Sequence, residues 1–252
     1  MKILTEEKII KPKAVIFDTD NTLYPYKPAH EAALKEVVVK AQNLLKVDKE
    51  DFLEAFEDSR KKIKGQLGNT AASHSRLLYF QKTIEQLGMG TRIFLTLDLE
   101  QTYWRTFLAN TRLFDHVKEF LQLLKSQGVK TANITDLTAQ IQFRKIVFFG
   151  LDEFFDYVVS SEEAGADKPD SKPFEIALSK LNIDPSMIWM IGDSLYKDIK
   201  GGNEVGFFTI QKIHDEVDIN KNDSNKPKVT ITSWNKANIA PRLNCHSNLI
   251  QM

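Results

Sequence analysis

Apolar residues in this chain follow two different rhythms, and the change between them divides the sequence. Near the N-terminus the run Ala14-Val15-Ile16-Phe17 is apolar at every position, as expected of a strand buried on both faces of a parallel sheet. Residues 21–28 contain two prolines and two tyrosines, which argues against regular helix and predicts a shaped loop. Helical spacing then takes over. Leu34, Val37, Val38, Ala41, Leu44 and Leu45 predict one helix, and residues 48–51 offer capping groups for a second that carries Phe52, Phe56 and Ile63. Leu77, Ile84 and Leu87 predict a third, stopped by Gly88, while Phe94, Leu97, Trp104, Phe107 and Leu108 predict a fourth that ends near Asn110.

From Leu113 onward helix and strand alternate. Val117, Leu121 and Leu124 line a helix that stops at Gly128; a strand over 129–134, a helix over 138–148, a strand over 157–159, a helix over 173–181 and a strand over 187–192 follow. Two more strands are expected over 206–210 and 229–232. Alternation of this kind predicts an α/β fold, a parallel sheet wrapped by helices. The helical block is therefore an insertion: residues 1–24 and 112–252 form the core, and residues 25–111 a small all-helical domain. A lid over the carboxyl edge of the sheet is its simplest geometry, although its helices could equally form an interaction surface.

Composition narrows the class. The 252 residues are 42% hydrophobic and 27% charged, as in an ordinary globular protein with room for a sizeable core. Lys plus Arg equals Asp plus Glu at 34 each, so no basic field favours nucleic acid or an anionic membrane surface. No stretch approaches the length of an apolar membrane span, and residues 1–13 are charged with no apolar leader core, so a cytoplasmic protein is expected. The single cysteine, Cys245, has no partner for an internal disulfide. Residues 214–228 are polar and read as a loop.

The chemistry gathers at strand ends. Asp18-Thr19-Asp20-Asn21-Thr22 follows the first strand, and Asp18 and Asp20, one residue apart, would share a face if extended. Taken alone this stretch is also good turn chemistry. A second apolar run, Met187-Ile188-Trp189-Met190-Ile191, delivers Gly192-Asp193, and Asp198 lies five residues on. Parallel strands would bring these acids together, and clustered carboxylates that would otherwise repel favour a hard divalent cation, with Mg²⁺ the natural choice. The strand over 129–134 is followed by Thr135-Asp136, and the strand ending near Val159 by Ser160, Ser161 and then Lys168-Pro169-Asp170. A hydroxyl and an ammonium beside such acids suit a phosphoryl group. Singly, Thr135 reads as a helix cap and Lys168 as a solvated loop charge; together and in order they read as a site.

In that order the residues resemble the haloacid dehalogenase superfamily. Asp18-Thr19-Asp20-Asn21-Thr22 corresponds to its first motif, Thr135 to its second, Lys168 to its third, and Gly192-Asp193 with Asp198 to its fourth. The resemblance spans about residues 13–210 and implies a Rossmann-like core with a helical cap inserted after the first motif. It further implies that Asp18 is a nucleophile and Asp20 a general acid and base. Thr135, Asp136 through its backbone N–H, and Lys168 would bind phosphate. The Asp18 carboxylate, the Asp20 backbone carbonyl and Asp193 would hold Mg²⁺, with Thr22 and Asp198 in support. Many relatives have Asn or Gly where this chain has Asp136, so its carboxylate is expected to turn away from phosphate. Lys172-Pro173 rivals Lys168-Pro169, but Lys168 fits the Lys-Pro-Asp pattern better. Retention of Asp20 favours a phosphatase over a dehalogenase. A phosphomutase, or a non-catalytic interaction protein with a structural ion, stands as the alternative. The expected substrate is a small phosphorylated metabolite such as a sugar phosphate or nucleotide. His74, Arg76, Tyr79 and Lys64 are cap residues that could select it, although His74 and Arg76 read more readily as the solvated face of a helix.

Overall fold

A computed structural model describes residues 2–3, 11–214 and 226–235. The loop expected over 214–228 lies largely outside the described residues, and Cys245 lies wholly outside them. Among the described residues seven strands form one sheet: β1 (Lys2–Ile3), β2 (Ala14–Phe17), β3 (Lys130–Thr135), β4 (Tyr157–Ser160), β5 (Ile188–Gly192), β6 (Phe208–Lys212) and β7 (Val229–Ile231). Their order is β1-β7-β6-β5-β2-β3-β4, with six strands parallel and β1 antiparallel at the edge against β7. The chain builds from β2 outward through β3 and β4, then returns to the other side of β2 for β5, β6 and β7. Order therefore reverses at β2, and the crevice beyond the carboxyl end of such a strand is where open α/β sheets bind ligands.

Strand alternation explains the two cores. Val15 and Phe17 face α5 (Val117–Ser126), packing with Phe120, Leu121 and Leu124, whereas Ala14 and Ile16 face α8 (Ser171–Leu181), packing with Phe174, Ala177 and Leu181. Each fully buried Val, Ile, Leu or Phe among them contributes roughly 1.5–3 kcal/mol. The first core runs on without a break into the helical block, through Leu23, Tyr24 and Phe107. That block comprises α1 (Tyr26–Leu45), α2 (Lys49–Leu67), α3 (Arg76–Gln86) and α4 (Ile93–Ala109).

The structure corrects the sequence reading in several places. Helix α1 begins at Tyr26, inside the predicted loop, and Pro28 sits in its first turn, where a missing N–H costs no intrahelical bond. On α4 the predicted Trp104 and Phe107 are buried, but Phe94 is 84% exposed and Leu97 43%, and Leu99 and Tyr103 fill the interior instead. On α3 the buried face is Tyr79, Phe80, Thr83 and Ile84, with Leu77 only half-buried. Leu44 of α1 is exposed. The short edge strand β1 was not anticipated, since two residues carry no periodicity.

Candidate active site

Asp18 continues the β2 ladder by one residue, its N–H donating to the Ile191 carbonyl at 2.9 Å. Phe17 lies in register with both Asn133 of β3 and Ile191 of β5, so Asp18, Thr135 and Asp193 arrive at one edge from three adjacent strands. A buried amide in β3 fixes the turn that follows. Asn133 donates to the Phe17 carbonyl at 2.9 Å and accepts from the Thr19 hydroxyl at 3.1 Å. Thr22 donates to Asp18 Oδ2 at 2.9 Å, one turn along.

After β5 the backbone forms a π-helical turn, Leu195–Lys200, of a kind frequent at functional sites. It swings Asp198 back so that Oδ2 accepts from the Ser194 N–H at 3.0 Å. Carboxylate oxygens of Asp18, Asp193 and Asp198 lie within 4.8 Å of one another. The Lys168 ammonium donates to Asp18 Oδ1 at 2.6 Å, to Asp198 Oδ1 at 2.7 Å and to the Ile134 carbonyl at 3.0 Å. Burial alone would lower the Lys168 pKa, but Asp18 and Asp198 hold it well above the usual lysine range. One ammonium cannot balance three acids. Burial, against the opposing pull of Lys168 and with repulsion from Asp198, pushes Asp18 up to about 7. Burial and the charges of Asp18 and Asp198 push Asp193 up to about 8. An all-oxygen, acid-rich donor set of this kind fits a hard divalent cation.

Asp20 lies outside that trio. Its Oδ1 accepts from Lys145 Nζ at 2.7 Å and from the Tyr24 hydroxyl. Lys145, on α6 (Ala139–Phe148), is buried with its ammonium over the rings of Tyr24, Trp104 and Phe107 at 5.5–5.7 Å. Sequence reasoning passed over it. Its signal was a lysine on the buried stripe of α6, beside Ile141 and Ile146.

Thr135 is buried at the end of β3, and among the described residues its hydroxyl has only a long 3.5 Å contact to the Asp136 carbonyl. The Asp136 carboxylate is fully engaged: Oδ2 accepts from Lys197 Nζ at 2.7 Å, and Oδ1 from the Lys168 N–H at 3.0 Å and the Ser161 hydroxyl at 3.2 Å. The charge of Lys168 and Lys197 holds its pKa below the usual carboxylate value despite burial. Lys172 is exposed on α8, away from this cluster.

Opposite the sheet edge stands a wall of helical residues. Together they enclose a cavity of about 360 Å³ lined by Asp18, Asp20, Thr135, Asp136, Lys168, Asp193 and Asp198 on one side. Tyr26, Arg60, Lys64, His74, Arg76, Tyr79 and Trp104 line the other side. His74 and Arg76 are therefore not on a solvated helix face. His74 Nε2 meets Asp167 Oδ2 at 2.7 Å, and Arg76 donates to the His74 carbonyl at 2.7 Å and to the Tyr26 hydroxyl. The Arg76 guanidinium lies over the rings of Tyr79, Tyr103 and Trp104 at 5.3–5.6 Å. Arg60, Trp104 and Lys197 line the cavity without having been singled out from sequence.

Such an arrangement offers a buried carboxylate beside a fixed ammonium, a second carboxylate held separately, and a hydroxyl open to a ligand. The chain as a whole is similar to known proteins. A family model for haloacid dehalogenase-like hydrolases matches residues 12–206. The ribulose-1,5-bisphosphate 5-phosphatase of Halopiger xanaduensis is 40% identical over 198 residues, covering 78% of this chain and 83% of that protein. The glyceraldehyde 3-phosphate phosphatase of Methanopyrus kandleri is 30% identical over 200 residues, covering 79% and 83%. Among solved structures, the HAD-hydrolase YfnB from Bacillus subtilis, bound to magnesium, aligns with a TM-score of 0.68 at 22% identity, covering 93% of this chain and 99% of that one.

Proposed function

The chain belongs to the haloacid dehalogenase-like hydrolases, and from that premise we propose that this phosphatase hydrolyses a small phosphorylated metabolite through an aspartyl-phosphate on Asp18. The observation that carries the reading is the Asp18 carboxylate, buried and fixed by Lys168 at 2.6 Å and Thr22 at 2.9 Å, at the floor of a cavity sized for a small ligand. An Asp18 oxygen attacks phosphorus as the ester P–O bond breaks. Asp20 protonates the departing alkoxide, then takes a proton from the water that cleaves the acyl-phosphate. Lys145 and Tyr24 orient Asp20 for both transfers. Lys168 and Thr135 hold phosphoryl oxygens, and the Asp136 backbone N–H adds a third donor while its carboxylate stays bound to Lys197.

Asp18, Asp193 and the Asp20 backbone carbonyl would hold Mg²⁺, with Asp198 in support. The ion would supply positive charge that offsets repulsion between an anionic nucleophile and an anionic ester. Residues 25–111 act as the cap domain of the core formed by 1–24 and 112–252, and the cap chooses the substrate. Both phosphatase relatives above are named for phosphorylated three- or five-carbon compounds, which supports a sugar-phosphate-sized substrate.

The test is phosphate release from p-nitrophenyl phosphate and a panel of phosphorylated metabolites, with and without Mg²⁺. Asp18→Asn should abolish turnover while retaining the native circular dichroism spectrum. Turnover by a folded Asp18→Asn protein, or silence across the whole panel, would end the proposal.

A further inference from the structure

The charges lining the cavity do not all find partners, and the ones left over sit together. On the sheet side Lys145 is matched by Asp20, Lys168 by Asp18 and Asp198, and Lys197 by Asp136. On the helical side stand Arg60, Lys64 and Arg76. Arg60 has one acid, Glu57, at 3.1 Å near the rim. The Lys64 ammonium forms no hydrogen bond or ion pair among the described residues. Arg76 donates only to neutral oxygens, and its Nε–H is buried with no hydrogen-bond partner. Asp167, outside the cavity lining, meets His74 through Oδ2 and forms no ion pair with Lys64 or Arg76 among the described residues, although its charge partly offsets the repulsion felt by Lys64.

Placing these cations together has a cost. Arg60 and Lys64 are four residues apart on one face of α2, where like charges repel. Their effect reaches the neighbours. Burial, together with Arg60, Arg76 and Lys197, holds the Lys64 amine below its usual range. Burial with Arg76 and Arg60 also drives His30 on α1 down to about 4, leaving it neutral. A wall held at positive potential, with a buried donor aimed at nothing, is built for an anion.

We propose that Lys64, Arg60 and Arg76 form a second anion subsite, so that the substrate carries a further phosphate remote from the one removed. The inference rests on the phosphatase reading above and sharpens it to bisphosphorylated compounds. A phosphate dianion matches Lys64 and Arg76, neither of which has an ion-pair contact among the described residues, better than a single carboxylate would. It also accepts several charge-assisted hydrogen bonds at once.

Ribulose 1,5-bisphosphate and ribulose 5-phosphate are suitable probes, since they differ in the second phosphate alone. With Mg²⁺, the wild-type protein should show kcat/KM roughly tenfold to a hundredfold higher for the bisphosphate, the range expected of charge-assisted hydrogen bonds. In Lys64→Met that ratio should fall toward one, mainly through KM. A binding arm needs no turnover: Asp18→Asn is titrated with both compounds by calorimetry, alone and combined with Lys64→Met, after thermal unfolding shows each variant folded. Tighter binding of the bisphosphate that disappears with Lys64→Met supports the subsite. Equal binding of the two compounds, or a preference that survives Lys64→Met, overturns it. Should no phosphate ester be hydrolysed while the calorimetric preference holds, the subsite stands and the phosphatase reading falls.

Discussion

Gly192→Ala tests the geometry of the acidic cluster more sharply than removal of any acid. A methyl group built on Gly192 would lie 2.3 Å from Asp198 Cγ and 2.4 Å from its Cβ and Oδ2, about 1 Å short of ordinary contact. The backbone there is not left-handed, so alanine brings no torsional strain and the whole effect is steric. Asp198 must move. Doing so breaks its 2.7 Å contact with Lys168 and withdraws the acceptor that the Ser194 N–H reaches at 3.0 Å. Overpacking costs about 1–3 kcal/mol, and an unsatisfied buried N–H about 1–3 more. Partial relaxation should leave roughly 2–4 kcal/mol, a fall in Tm of about 5–15 °C for a protein of this size. Lys168 would also lose one of the contacts that fix it against Asp18, and misplacement by about 1 Å can cost on the order of 100-fold in rate. Scanning calorimetry and steady-state phosphate release would measure both. Gly65→Ala is the control: it lies within α2 with open space around it, and alanine there should stabilise by about 0.5–1 kcal/mol. A Gly192→Ala protein as stable and active as wild type would refute the packing of Asp198 against β5.

Other outcomes follow from the same geometry. Lys145→Met leaves Asp20 with Tyr24 alone, and should lower kcat by about tenfold or more while changing thermal stability little, because the Asp20 carboxylate left behind is partly exposed and stays hydrated while the removed ammonium carried its own desolvation cost. Unchanged kcat would remove Lys145 from the mechanism. Asp18 and Asp193, raised to about 7 and 8, hold protons that a cation must displace, so the Mg²⁺-induced rise in Tm should grow as pH increases through that window and level off above it. The sign reverses without metal: carboxyls whose folded pKa is raised bind more protons folded than unfolded, so the metal-free protein should lose stability as pH rises from about 4 to 8. A metal-induced shift independent of pH would contradict both statements. Phe94→Ser should change stability by no more than about 0.5 kcal/mol, whereas Phe107→Ala on the same helix should cost about 3–5, as chemical denaturation would show. Equal costs would mean that α4 packs on its other face.

Much of the fold was legible because periodicity is a local property. Short apolar runs delivering an aspartate marked β2 and β5, and a block of helical spacing marked the insertion between β2 and β3. Where reading failed, two faces of one helix competed. Trp104 and Phe107 of the expected α4 stripe are buried, but the choice between Phe94 and Leu97 on one side of them and Leu99 and Tyr103 on the other depends on which neighbours α1 and α3 present. The same limit concealed Lys145, since a lysine on an apolar stripe gains meaning only once Asp20, distant by 125 positions in sequence, stands 2.7 Å away.

The sequence by itself determined the strand-end acids, the order of the motifs, the α/β class and the presence of an inserted helical block, because each is written in the spacing of neighbouring residues. Only the tertiary structure decided that Asp198 turns back through a π-helical turn to meet Lys168, that the Asp136 carboxylate is held by Lys197, and that Lys64 and Arg76 face the acids with no acid of their own. Charge compensation is a property of distances through space, and distances between remote segments exist only after the sheet has closed and the helices have packed against it.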